Sequence, residues 1–286
     1  MFMRIHLPFF FYSYYLPWYR RLQALVFLIT RLFEIALLNR FPYIYAMKTI
    51  FHSAISRGQA DHGWLNAKHS FSFASWYNPD RIHFGALRVL NDDIVAPGMG
   101  FGSHPHDNME IITIPMNGSI RHQDSIGNSS EITTGEIQVM SAGTEVRHSE
   151  FNPDHNQPLH LFQIWIFPNK RGIEPRYDQF RIDQHKMTDQ FLQLVSPDPA
   201  DEGSWIHQNA WIHMAKPSKG RVMTYSMKDH ANGVYLMVVE GKIKIGEQLL
   251  EQKDALGVWD TNMVSFETLE NSKILAIEVP MIFDIH

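Results

Sequence analysis

GMGFGSHPHDNMEIITIPMNGSIRHQDSIGN, residues 98–128, is the stretch on which the reading of this chain turns. Its Ile-, Thr- and Phe-bearing runs are short and are cut by Asn117-Gly118 and Gly127-Asn128, as in strands joined by tight turns. In a strand, residues i and i+2 point to the same face. His104 and His106 therefore aim two imidazoles into one space. A second pair with the same spacing, His148 and Glu150, lies within SAGTEVRHSEFNP, residues 141–153, and 42 positions separate His106 from His148. That distance holds several antiparallel strands and turns. Three imidazoles and a carboxylate would then share one cavity, which is the composition of a metal site.

Outward from this stretch the pattern continues. FGALRVL, EIQVMSA and LHLFQIWIFP are further strand-like runs, and Pro97-Gly98 and Thr134-Gly135 punctuate them. Strands at roughly 8–12-residue spacing with turn signals between them predict a sandwich or barrel. Residues 169–220 loosen into EPRYDQF, SPDPADEGSW and AKPSKG, which read as connecting loops. A second β set follows in RVMTYSM, GVYLMVVEGKIKIGEQLL, ALGVWD and KILAIEVP, giving two successive β-rich halves. The second half has no paired ligand motif. Its isolated His207, His213 and His230 read as structural, so the expected metal site lies in the first half.

Composition removes several classes. There is no cysteine, which excludes disulfides, thiolate zinc sites and cysteine nucleophiles; a cytoplasmic location is expected. A formal charge of −5 and the lack of a basic run argue against a nucleic-acid partner. Residues 1–46 differ from the rest, being rich in aromatics and arginine with Glu34 as their one acid. The apolar stretch Leu22–Leu38 contains Arg31 and Glu34, each costing roughly 2.5–3.5 kcal/mol inside a membrane span. A span is therefore not expected. The segment is read as an extension before a true start at Met47, with a membrane-associated amphipathic helix as the alternative.

Neutral imidazoles with one carboxylate suit Fe(II), Ni, Co, Mn, Cu or Zn rather than Ca or Mg. A three-histidine, one-glutamate set leaves two octahedral positions open for water, dioxygen or an anionic oxygen of a substrate. Glu110, four residues after His106, is an alternative carboxylate that spacing alone does not exclude. His122, Gln138 and Gln163 are candidates for hydrogen bonds to the ligands. Pro105 cannot donate to a ladder, so its strand is expected at a sheet edge or with that amide facing out. Phe71, Phe73 and Trp76 are candidates for an apolar substrate pocket, with plain core packing as the other reading.

With these residues in hand, the chain resembles the pirin family, a branch of the cupin superfamily. The resemblance runs from about Lys48 to the C-terminus. Besides the stretches at 98–128 and 141–153, it rests on DHGWLNAKHSFSFASWYNP, FGALRVLNDD and LHLFQIWIFPNKRGIEPRYDQ. It is strongest to bacterial pirin-like proteins assigned quercetin 2,3-dioxygenase activity. It implies an all-β bicupin of two β-sandwich or jelly-roll barrels: an N-terminal cupin with the metal at 47–180 and a C-terminal one without metal at 181–286. Carried across by motif, the ligands are His104, His106, His148 and Glu150, with Glu110 beside the set. Ser141 stands where the general cupin pattern has proline.

The implied activity is an Fe(II)-type dioxygenase that opens flavonols such as quercetin with loss of carbon monoxide. The substrate's 3-hydroxyl would bind the metal, and Glu150 or Glu110 would take its proton. The resemblance also implies a rival, a non-enzymatic iron and redox sensor that regulates a protein partner rather than DNA. A metal-dependent isomerase or another small-molecule cupin enzyme is a third reading.

Overall fold

Strand Asn232–Glu240 is buried along almost its whole length, and its side chains divide between two cores. Tyr235, Met237 and Val239 face one core while Val234, Leu236 and Val238 face the other. A strand covered on both faces is necessarily apolar at every position, which is why VYLMVV shows no alternation. The computed structural model describes residues 47–283. The N-terminal extension read from the sequence lies outside the described residues. Among the described residues no helix is long and apolar enough to cross a membrane.

The strands form four sheets. A seven-stranded sheet between Gly58–Asp61 and Arg176–Arg181 faces a four-stranded one ordered Gly100–His106, Val146–Phe151, Ser119–Asp124, Ser129–Thr133. A second seven-stranded sheet and a second four-stranded one, built mostly from residues after 190, repeat this arrangement. These are the two double-sheet barrels expected of the all-β class. Lys48–His52 departs from chain order: it pairs with Ala255–Trp259 and edges the sheet of the second barrel.

The largest apolar cluster lies between the two seven-stranded sheets, where Ile112, Ile114, Phe162 and Ile164 meet Ile212, Met237, Leu275 and Ile277. Each fully buried side chain of this kind contributes roughly 1.5–3 kcal/mol. The interior of the second barrel is likewise apolar, with Leu236, Val238, Ile274 and Phe266. The interior of the first barrel is apolar around Leu65, Ile120, Ile132 and Leu161, and again in a smaller cluster of Ile111, Met140 and Val146. Between these two clusters Asn91, Asp93, Thr113 and Gln138 are buried, with Gln163 beside Asn91 and Thr113 in the ladder.

A buried ion cluster ties the barrels together. Asp92 receives Arg57 Nη1 at 3.1 Å, His160 Nε2 at 2.6 Å and Lys253 Nζ at 3.1 Å. Lys253, from the second barrel, also lies 4.5 Å from the Phe162 ring centroid. Removing the shared anion would strand two buried cations, which costs about 3–5 kcal/mol. Asp92→Ala is expected to lose stability of that order in denaturant titration; a loss within 0.5 kcal/mol (about the effect of a surface substitution) would mean that the cluster does not hold the barrels.

Two buried histidines make the fold acid-sensitive. Burial, assisted by Arg81, lowers His52 to about 4. Burial, assisted by Lys228, lowers His213 to about 4 from 6.5. Below pH 6.5 the unfolded chain takes up protons at these positions that the folded protein refuses, so stability falls as the pH drops toward 4. The slope is about 1.4 kcal/mol per pH unit for each such histidine. The thermal midpoint should therefore decline steadily from pH 7 to pH 4, and a flat profile would contradict neutral burial.

Candidate metal centre

The strand Gly100–His106 is the edge of its four-stranded sheet, as Pro105 requires. Its neighbour Val146–Phe151 places His148 opposite His104 and Glu150 opposite Phe101. One residue thus separates the pair on one strand and two on the other, so an extra residue bulges out at Gly102–Ser103. The bulge has a direct effect on the site. Phe101 packs with the apolar interior cluster, 5.2 Å from the Trp64 ring, and His104 faces the same interior. Three positions apart, they would point to opposite faces of a regular strand; the bulge re-aims one of them.

His104, His106 and His148 each offer a nitrogen, and those atoms all lie within 4.8 Å of one another. The His104 and His148 Nε2 atoms are 3.1 Å apart. Two imidazole nitrogens at right angles around one ion, each about 2.1 Å from it, stand about 3 Å apart. The pair therefore fits a shared ion. Burial lowers His106 to about 4, with His148 and His104 adding to the effect. Burial also lowers His148 to about 3, with His104 and His122 adding to it. Both rings are neutral at pH 7 and keep a lone pair for a metal. His104 and His106 are half-exposed, while His148 is buried, so the cluster opens toward the sheet edge.

The ring behind His148 fixes its tautomer. His122 Nε2 lies 3.0 Å from the Asp124 carboxylate and donates to it. The backbone amides of Ile126 and Asn128 also donate to Asp124. Burial alone would raise Asp124, but these hydrogen bonds outweigh it and hold the carboxyl below its usual range. With Nε2 as its donor, His122 turns the lone pair of Nδ1 to Gln138 Nε2, from which it accepts at 3.1 Å, and faces His148 Nδ1 at 3.5 Å. With its own Nδ1 proton directed at His122, His148 presents an Nε2 lone pair to His104.

Glu150 is buried and forms a second group with His122 and His148 rather than joining the three imidazoles at the same spacing. Gln163 Nε2 donates to its Oε2 at 3.0 Å, and the Thr113 hydroxyl approaches Oε1 at 3.5 Å. The structure thus places His122, Gln138 and Gln163 around His148 and Glu150.

Glu110 lies apart from these groups. Thr113, on the same strand, faces Glu150, and Glu110 three positions away faces the opposite side. There it accepts from the Ser141 hydroxyl at 2.6 Å and lies 3.4 Å from His207 Nδ1. It belongs to neither group of converging ligand atoms found among the described residues. His207 Nδ1 is buried there without a hydrogen-bond partner. The aromatic candidates also divide. Phe71 packs into the core between barrels, 5.4 Å from Tyr235, and Trp76 covers Gly58. Phe73 alone approaches the site, edge-on to Trp165 at 5.3 Å, and Trp165 in turn meets His106 at 4.8 Å.

Three residues near the site carried signals that the two-pair reading did not use. Asp124 is two after His122, the same alternation that revealed the pairs. Trp165 is two after Gln163. Asp93, buried inside the barrel, has one oxygen without a partner. Burial, with Asp92 and Glu150 nearby, raises it to about 8. Its signal is an acidic dipeptide in the middle of the strand LRVLNDDIV.

A family model described as Pirin matches residues 51–166, and one described as a quercetinase C-terminal cupin domain matches residues 193–279. A protein named quercetin 2,3-dioxygenase from Escherichia coli is 42% identical over 228 residues, covering 79% of this chain and 96% of that protein. A pirin-like protein from Caulobacter vibrioides is 38% identical over 223 residues, covering 77% and 95%. The crystal structure of the bacterial pirin YhhW from Escherichia coli in complex with nickel(II) superposes with a TM-score of 0.77 at 38% identity, covering 82% of this chain and all of that one.

Two glycines on the site strand test the geometry. A Cβ on Gly100 would run into the Glu150 carbonyl oxygen and the Phe151 Cα, whereas a Cβ on Gly102 meets nothing within 4 Å. Gly100→Ala must push the two site strands apart and is expected to cost about 1–3 kcal/mol in chemical denaturation. Gly102→Ala should stay within about 0.5 kcal/mol of the parent. Equal effects would contradict the close strand approach.

Proposed function

Because the chain belongs to the pirin family, we propose that it is a metal-dependent dioxygenase acting on flavonols such as quercetin, with His104, His106, His148 and Glu150 holding one divalent ion. The observation that carries this reading is the convergence of three imidazoles, two with their Nε2 atoms 3.1 Å apart. An ion bound there would supply Lewis acidity toward a substrate hydroxyl and open positions for dioxygen. Iron(II) is the ion we assign, on the oxygen chemistry the activity requires; the Escherichia coli pirin complex holds nickel(II).

The residues of this chain divide the remaining work. His122 and Asp124 orient His148, and Gln163 with Thr113 orients Glu150. Glu150, the carboxylate of the set, takes the proton of the substrate hydroxyl. Trp165, backed by Phe73, forms an apolar wall beside His106 against which an aromatic ring can lie. Glu110, held by the Ser141 hydroxyl on the other face of its strand, is left out of this scheme.

The test uses the full chain loaded anaerobically with Fe(II), and separately with Ni(II). Oxygen uptake and loss of flavonol absorbance with quercetin are followed together. His148→Ala should lose both stoichiometric metal and turnover while keeping its β-sheet circular dichroism, because the barrel forms without the ion. Glu110→Gln should keep its metal content. Loss of metal in Glu110→Gln would overturn the ligand assignment. Tight iron binding with no oxygen uptake would overturn the enzyme and favour a redox sensor with a protein partner.

A further inference from the structure

Where the segment between the barrels crosses from one to the other, it borders a cleft that the chemistry above does not use. The cleft encloses about 500 Å3, within the range of small-molecule sites. Met116 from the first barrel is partly open to it, and the edges of the buried Ile182 and Met187 from the connecting segment and Met214 from the second complete its apolar wall. Methionine is the side chain best suited to mould around an irregular apolar body.

The charged groups of this cleft are unusual for the molecule. Lys216 and Lys273 both line it and both are half-buried. Lys216 Nζ donates to the neutral Gln184 Oε1 at 2.7 Å. By contrast Lys253 is matched by Asp92 at 3.1 Å. Among the described residues neither Lys216 nor Lys273 has a carboxylate within 4.0 Å. Glu240 is opposite Lys273 in the ladder and lines the same cleft, but it is exposed and stands beyond ion-pair distance. Burial holds the Lys273 ammonium below the usual lysine range; Glu240 opposes this, and Lys216 and Lys253 reinforce it. Two ammonium groups thus share the cleft with one carboxylate that is beyond ion-pair distance of either, and the Lys273 charge, partly withdrawn from water, stays costly until it is paired.

We propose that this cleft is a second binding site, for a small organic anion that carries a carboxylate or sulfonate on an apolar body of about one or two rings. Lys216 and Lys273 pair with the acid group, and the methionine surface takes the body. Since both barrels and the connecting segment contribute walls, an occupant ties them together and stabilises the folded protein by mass action.

The probe is 8-anilinonaphthalene-1-sulfonate, titrated by fluorescence into the full chain, with benzoate as competitor and benzyl alcohol as its uncharged counterpart. One saturable site per chain is expected, displaced by benzoate and at least tenfold less readily by benzyl alcohol. Lys273→Met and Lys216→Met should each weaken binding on the order of tenfold, the loss of one charge-assisted contact. Benzoate should also raise the thermal midpoint of the parent more than that of either variant. The absence of a saturable site, equal displacement by benzyl alcohol, or unchanged affinity in both lysine variants would overturn the proposal. Displacement by inorganic phosphate as effective as that by benzoate would overturn the need for an apolar body.

Discussion

Two seven-stranded sheets bury their outer faces against each other, and this shared layer leaves each sheet only its inner face for anything else. The strands that form it must be apolar toward the partner sheet at every second position, because an unpaired polar group there would be stranded from water. Ile112, Ile114, Phe162 and Ile164 meet that demand in the first barrel; Tyr235, Met237, Leu275 and Ile277 meet it in the second. The intervening positions are free to differ, and it is there that the two barrels part ways. The second fills its interior with Leu236, Val238, Ile274 and Phe266. The first places Asn91, Asp93, Thr113 and Gln138 on the corresponding face. One barrel is a packed support and the other a container.

Inside that container, polarity is graded. The end nearer Ile120 and Ile132 is dry, and the end nearer His104 and His106 opens toward solvent. Between them His122, Gln138, Gln163 and Thr113 satisfy most of the buried polar atoms around His148 and Glu150. Such a network specifies side-chain orientation more strongly than packing does, since each member has few alternative partners. Preorganisation of the imidazoles thus comes from the layer behind them rather than from the half-exposed strand that carries two of them.

Much of this was legible in the chain because a strand's period of two is simple to read. His104 with His106 and His148 with Glu150 fall together by that rule, and Pro105 announced a sheet edge. The rule cannot report a bulge, so the extra residue at Gly102–Ser103 was invisible, although it decides that Phe101 and His104 share a face. Nor did spacing from His106 settle Glu110, since a loop at Asp107–Met109 separates the two strands and resets the parity. Counted instead from Thr113 on its own strand, Glu110 falls on the outer face. The approach of His207 to Glu110 had no local signal, because the two come from different barrels.

The pairing of Lys48–His52 with Ala255–Trp259 has a kinetic side. The strand is made early and its partner near the end of synthesis, about 200 residues later. Closing so long a loop is entropically unfavourable, so this edge is placed among the last contacts to form. Until then the second barrel presents an unpaired edge at Ala255–Trp259, an apolar ALGVW segment of the kind that invites pairing with other chains. The strand Lys48–His52 therefore serves as a cover for the finished molecule, and nascent chains are most exposed to association in the interval before it docks.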